Sequence, residues 1–210
     1  MTDCPAPAQQ PRREQILDAA LELFAHHGLN NVTTRQIAQR VGISQPSLYA
    51  HFPNREAICA EVCLRAMDTL YVMLTTALDP LASLRTRIIT LGRNYVQFGL
   101  NNEAAYRVAF MGDVTGDELP ERDRVMGAGL RAYEVLYALA VEACGGESHD
   151  CALLAQSIWA SIHGLVSLLL SCREFPWVDI DGFIDRHIDI LADQLCRASV
   201  QQSGPSMRQI

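Results

Sequence analysis

Gln45, Ser47 and Tyr49 stand at alternate positions of the stretch QPSLY, and Thr34, Arg35, His51 and Arg55 lie close by in the chain. Amide, hydroxyl, imidazole and guanidinium groups at this density suit hydrogen bonding to another polar surface. No acidic residue occurs between Asn31 and Arg55, a segment that holds three arginines. Other groups could do different chemistry. Cys59 and Cys63 are one helical turn apart, with the spacing of a dithiol or of half a metal site. Trp159 and His163 share the same spacing. Cys144, His149 and Cys151 form a looser cluster, and His26–His27 and the DRHID run at Asp185 to Asp189 add further donors. None of these spacings matches a strong zinc pattern, so buried thiols and amphipathic helix faces account for them, and no metal or cofactor is implied. G-x-S-x-G, phosphate-binding and dinucleotide-binding glycine motifs are missing from the sequence, so no enzyme is expected.

The elements that must position these groups read as helices throughout. From Arg12, the apolar residues Ile16, Ala20 and Phe24 fall on one face, and Gly28 is placed to end the helix in the αL conformation. Thr33 and Gln36 have the spacing of a capping box for a short second helix carrying Ile37 and Val41 inward. Gly42 permits a sharp turn, Ser44 caps a third helix, and Pro46 falls in its first turn, where its missing N–H is not needed. Pro53 stops that helix and Asn54 caps the next, which runs to about Ala77. Further segments are expected at about 81–100, 102–111, 119–144, 150–172 and 180–198. The fold class is therefore all-α, with nine helices and no repeat.

A short helix, a glycine turn and a second helix are the parts of a helix-turn-helix, whose second helix enters the DNA major groove. Ile37, Val41, Ile43 and Leu48 would hold the pair together. Gln45 would then bond a base edge, Pro46 would pack on a thymine methyl, and Tyr49 would reach base or phosphate. Thr34, His51 and Arg55 would flank the groove beside the phosphates. Charge agrees with a local reader of DNA. The chain carries formal charge -7 and has 17 basic residues, every one an arginine. The acids concentrate after residue 58, so a non-specific, nucleoid-type DNA binder, which depends on neutralising phosphates, is disfavoured.

The stretch LFAHHGLNNVTTRQIAQRVGISQPSLYAHFPNREAI resembles the DNA-binding region of the tetracycline-repressor (TetR) family of bacterial transcription regulators, and the likeness runs from about Ile16 to Ile58. In such regulators the positions matching Thr34, Arg35, Gln45, Pro46, Ser47, Tyr49, His51 and Arg55 face DNA; Arg55 stands where the family more often has lysine. IWASIHGLVSLLL, Ile158 to Leu170, resembles the W-x-x-x-H-G segment of a subset of the family. The resemblance implies a helical regulatory domain with an effector cavity and a homodimer formed through the last two helices.

The expected organisation is a disordered tail at 1–11, a DNA-binding domain at 12–58, a regulatory and dimerisation domain at 59–199, and a second tail at 200–210. Tyr95, Phe98, Tyr106, Phe110, Met126, Tyr133, Trp159 and His163 are candidates to line a site for a largely apolar small molecule. The functional expectation is a cytoplasmic, homodimeric repressor released from a palindromic double-stranded operator by that effector. The alternative within the class is a redox- or metal-responsive regulator using Cys59 and Cys63. No segment has the composition of a signal peptide, and the longest apolar run, Ile162 to Leu170, is too short to span a bilayer, so no membrane partner is expected.

Overall fold

A computed structural model describes residues 11–76, 78–111 and 121–201. Apart from Pro11 and the end of the last helix, both expected tails lie outside the described residues, as do Ala77 and the start of the segment expected at 119. Among the described residues there are nine α-helices and no strand: α1 (Arg12–His27), α2 (Thr34–Val41), α3 (Gln45–Tyr49), α4 (Arg55–Thr76), α5 (Leu84–Asn101), α6 (Glu103–Tyr106), α7 (Arg122–Cys144), α8 (His149–Ser171) and α9 (Ile180–Gln201). A 3₁₀ turn at Leu29–Asn31 follows α1, and the segment expected as one helix at 102–111 divides into α6 and a π-helical turn, Arg107–Met111.

The described residues form two compact units. The first holds those up to Ala66 together with those of Ala104–Val125; the second holds those of Met67–Glu103 and from Met126 onward. Helix α4 contributes to both.

In the first unit, Ile16, Ala20 and Phe24 on α1 are buried with Ile37, Leu48, Phe52 and Ile58 in a single core. Gly28 departs from the expected αL cap: its φ is 81° but its ψ is 152°. The chain leaves α1 extended into the 3₁₀ turn, a conformation open to glycine alone, while the Gly28 N–H still bonds the Phe24 carbonyl at 2.9 Å. Gly42 does adopt αL, with φ 73° and ψ 37°.

In the second unit, α5 packs on α8 and α9. The close approach falls at Gly92, where an added Cβ would meet Ile188 Cγ2 at 3.1 Å and Ile162 Cδ1 at 3.4 Å. Gly164, the glycine that the sequence suggests for close helix approach, has nothing within 4 Å of that position. Arg85 on α5 pairs with Asp189 and Asp193 on α9, and Arg93 pairs with Asp185. The DRHID acids are thus one side of an inter-helix charge ladder. Each exposed pair of this kind contributes little, about 0–1 kcal/mol, so burial of Ile188, Leu191, Ala192 and Leu195 does more to seat α9.

Helix α8 is long and apolar enough by composition to cross a membrane, which the length of Ile162–Leu170 alone does not indicate. Ser157, Ser161 and Ser167 lie within it and add no charge. In the fold, Ile158, Ile162, Leu165, Val166 and Leu169 of this helix are buried.

Two glycines with opposite surroundings give opposite outcomes. Gly92→Val drives branched methyls into Ile188 and Ile162 and is expected to destabilise by about 1–3 kcal/mol. Gly127→Ala on α7, where nothing lies within 4 Å of the new methyl, is expected to stabilise by about 0.4–1 kcal/mol. Denaturant titration of both variants checks the pair; equal signs would overturn the reading of Gly92 as the packing notch.

Candidate functional site

The polar edge of the first unit is built by three local devices. The Thr33 hydroxyl accepts the Gln36 backbone N–H at 3.3 Å while the Gln36 side-chain oxygen accepts the Thr33 N–H at 2.8 Å, completing the capping box. Ser44 caps α3 by accepting the Ser47 N–H at 3.3 Å, with Pro46 in the first turn. Leu48, fully buried, pins this short helix to the core. Val41 and Ile43 pack against the same core from the turn.

With Leu48 turned inward, Gln45, Pro46 and Tyr49 are turned out and exposed, and Ser47 is half-buried. Three of the expected residues meet directly. Gln45 Nε2 donates to Thr34 Oγ1 at 3.3 Å, and the Thr34 hydroxyl and Tyr49 hydroxyl lie 3.1 Å apart. The N-terminus of α2 and the outer face of α3 therefore form one continuous hydrogen-bonding edge. Tyr49 and Gln45 keep further donor and acceptor capacity for an incoming partner. His51 is exposed beyond the end of α3.

The charges sort in a way that the sequence does not reveal. Arg13 pairs with Glu61 and lies over the Phe52 ring at 4.6 Å. Arg40 pairs with Glu22, and Arg65 with Glu14 and Asp18. Arg35, exposed on α2, makes no hydrogen bond or ion pair among the described residues. Arg55 departs from its expected outward role. Its Nε bonds Glu56 at 3.0 Å and its Nη1 donates to the Leu29 carbonyl at 2.5 Å, so the guanidinium ties the start of α4 to the turn after α1. Asn54 caps α4 beside it, accepting the Ala57 N–H at 2.8 Å.

The candidates for a small-molecule site divide. Tyr95, Tyr133, Trp159 and His163 gather in the second unit. Tyr95 Oη is 3.2 Å from His163 Nδ1, and Ser167 Oγ is 3.4 Å from its Nε2. Trp159 lies against both His163 and Tyr133, with ring centroids 6.3 and 6.0 Å apart. Burial holds the His163 pKa below the ordinary range, so the neutral ring donates through one nitrogen and accepts through the other. Tyr137, not singled out from sequence, stacks on Tyr133 at 6.2 Å. Tyr106 and Phe110 pack on one another in the first unit, Phe98 is wholly buried, and Met126 is exposed.

Among the described residues no group of three or more His, Cys, Asp or Glu side chains could hold a metal ion. Cys144 and Cys151 are buried on either side of the Gly145–Gly146 turn; burial, and after it the neighbouring Cys144 thiol, pushes the Cys151 thiol up to about 11.

Comparisons with known proteins agree with this architecture. Residues 16–62 match the family described as bacterial regulatory proteins, tetR family, and residues 88–191 match the tetracyclin repressor-like C-terminal domain. The class D tetracycline repressor of Escherichia coli is 50% identical over 60 residues, which are 27% of this chain and 28% of that protein. The likeness thus spans little more than a quarter of that relative. The nucleoid occlusion factor SlmA of Escherichia coli O1:K1 / APEC is 30% identical over 202 residues, 90% of this chain and 96% of that protein. The crystal structure of the TetR family transcriptional regulator PfmR from Thermus thermophilus covers 87% of this chain and 97% of its own, with a TM-score of 0.65 at 21% identity, a likeness of fold.

The arginine geometry gives a direct test on the isolated protein. Arg55→Ala leaves the Leu29 carbonyl without its donor and is expected to lower stability by about 1–3 kcal/mol. Arg35→Ala, on an open face, is expected to change stability by less than about 0.5 kcal/mol. Thermal melts of both variants decide; an Arg55→Ala protein as stable as its parent would remove the strut.

Proposed function

The chain belongs to the tetracycline-repressor family of DNA-binding transcriptional regulators, and on that premise we propose that it is a homodimeric repressor, released from a palindromic operator by a largely apolar small molecule. The observation that carries the DNA half is the Gln45–Thr34–Tyr49 edge beside Arg35. In this reading Gln45 bonds a base edge, Pro46 packs on a thymine methyl, and Ser47, Tyr49 and Thr34 complete the groove contacts. Arg35 and His51 meet phosphate, and Arg55 contributes by holding α4 in place.

The effector half of the proposal rests on the Tyr95–His163–Trp159–Tyr133 cluster. Its broad aromatic surfaces favour an apolar ligand, and the Tyr95 and Ser167 contacts to His163 hold the ring in place beside Trp159. A ligand that favours a dimer whose recognition helices no longer match the groove spacing lowers DNA affinity by its differential affinity for the two states. Helix α4, continuous from one unit to the other, is the element that both sites would bias.

The dimer is proposed through α8 and α9. Leu168 on α8 is 49% exposed and Ile190 on α9 is 44% exposed, while the space beside Gly164 is open. Leu191, which the apolar pattern of α9 suggests for the same face, is buried within its own unit, so a charge there would damage the monomer.

A second reading follows the near full-length similarity to a nucleoid occlusion factor: DNA binding by this chain could serve nucleoid occlusion. Selection of binding sites from random DNA, followed by a search for small molecules that release them, separates the two. An enriched palindrome with a releasing ligand supports the repressor; sites that no ligand releases favour the second reading.

Two outcomes follow for DNA and one for assembly. Gln45→Ala is expected to cost about 1–3 kcal/mol on the preferred site and to relax preference at one base pair per half-site. Arg35→Ala should weaken all sequences alike and flatten the log–log salt slope by roughly 2 for two subunits. Affinity for operator and scrambled DNA across a salt series reads both; a changed base preference in Arg35→Ala with an unchanged slope would move Arg35 to the base-reading set. Leu168→Glu should give a folded monomer by light scattering and circular dichroism, with operator binding lost. A dimer that survives Leu168→Glu places the interface elsewhere.

A further inference from the structure

We propose that Thr34 is a positioning residue: its hydroxyl fixes the amide of Gln45, and through that amide the base that α3 accepts. Thr34 is the first residue of α2 and Gln45 the first of α3. Thr34 is half-buried, whereas Gln45 and Tyr49 are exposed. Gln45 Nε2 donates to Thr34 Oγ1 at 3.3 Å, and Tyr49 Oη lies 3.1 Å from the same oxygen. Both helix starts are themselves held. The capping box at Thr33 sets the beginning of α2, and the Ser44 cap with buried Leu48 sets the beginning of α3. The Thr34 oxygen is therefore a fixed point on which a long, exposed side chain settles.

The Gln45 amide has two N–H donors on Nε2 and one carbonyl oxygen. Thr34 takes one N–H, so one donor and one acceptor remain, side by side in the amide plane. That pair matches adenine, whose major-groove edge offers N7 to accept and N6–H to donate. Guanine offers two acceptors, N7 and O6, and an amide free to turn can meet both with its two N–H groups. The tie to Thr34 removes the second N–H, so guanine leaves one acceptor unmet. Thr34 thus discriminates between two purines that it does not touch. The hydroxyls obey the same count. One of the two O–H protons of Thr34 and Tyr49 lies between them, and the other is left to reach a phosphate oxygen.

A hydroxyl that met phosphate alone would behave differently. Its loss would weaken every sequence alike, because the backbone is the same at each base pair. Loss of a positioning contact instead changes the ratio between bases. No charge is removed in either case, so the salt slope stays as it is. Thr34 acts in this way only if Gln45 reads a base, the reading proposed above, and the experiment separates the two failures.

The whole protein first selects a duplex from random DNA, and Gln45→Ala identifies the base pair whose preference it relaxes. Copies of that duplex with each other base pair at this place are then titrated. The proteins are the parent, Thr34→Val, Thr34→Ser, Gln45→Ala and the variant carrying both Gln45→Ala and Thr34→Val. The parent is expected to prefer adenine to guanine there by about tenfold or more. Thr34→Val, isosteric but without the hydroxyl, should reduce that ratio about threefold to tenfold, since the freed amide must be ordered on adenine and can turn to guanine. Thr34→Ser should keep the ratio, and in the Gln45→Ala background Thr34→Val should change it no further. In the DNA-free protein, nitrogen-15 relaxation should show the Gln45 side-chain amide more mobile in Thr34→Val than in the parent. A ratio that Thr34→Val leaves intact, even with affinity lowered equally for every copy, overturns the positioning role. A preferred base other than adenine at that pair overturns the proton count. If Gln45→Ala relaxes no base pair, Gln45 is not a base reader and the proposal falls with it. Protein that selects no duplex at all sinks the DNA-binding reading instead, and the amide mobility still decides whether Thr34 holds Gln45.

Discussion

A helix of five residues has no stability of its own in water, because nucleation is not recovered by so few hydrogen bonds. The placement of α3 therefore depends on burial of one side chain, Leu48, with Ser44 at its start and the αL turn at Gly42 behind it. Everything that Gln45, Tyr49 and Thr34 do at the surface follows from that anchor. The core around Leu48 is shared by α1, α2 and α4, so the position of the outward edge reflects the packing of the whole first unit. This is why a small change in α4 can reach a surface that α4 does not form.

Charge is deployed on the same principle of fixing some groups so that others are left available. Within the first unit Arg13, Arg40, Arg55 and Arg65 are all committed to acids, and Arg13 also to an aromatic ring. Arg35 is left on a segment without acids. A protein with strong net negative charge repels a polyanion everywhere except where its own acids are absent or already paired. Among the described residues Arg35 stands exposed on the acid-free segment with no ion pair, which favours the proposed contact with nucleic acid on that face.

What could be read in the sequence was local. The Thr33–Gln36 box, the Gly42 turn, the Ser44 cap and the inward Leu48 are signals whose partners lie within a few residues, and each reappears in the fold. What escaped depended on distant partners. The role of Arg55 is set by the Leu29 carbonyl, which no spacing rule links to it. The acids of α9 resemble a solvated face until Arg85 and Arg93 are brought against them, and Leu191 resembles an interface residue until its own unit buries it. The aromatic candidates share one composition, yet Tyr106 and Phe110 belong to one unit and Tyr95, Tyr133, Trp159 and His163 to the other. Composition identifies such groups, and only the path of the chain sorts them.

The ladder between α5 and α9 has a property that its pairs do not show singly. Its arginines are eight residues apart and its acids recur every four, at Asp181, Asp185, Asp189 and Asp193. Sliding α9 by one turn in the direction that brings Asp181 to Arg93 would also bring Asp185 to Arg85, which would keep Asp189 and lose Asp193. The electrostatics is thus nearly degenerate between two registers, like a rack whose teeth accept the same pinion at successive notches. Shape breaks the tie: only one register seats Ile188 in the gap left by Gly92. A one-turn ratchet of packed helices is a known form of switching. In this unit the resistance to such a step comes from the buried apolar face of α9, from the Ser161–His187 contact at 3.1 Å and from the fit at Gly92, so packing rather than charge fixes the register.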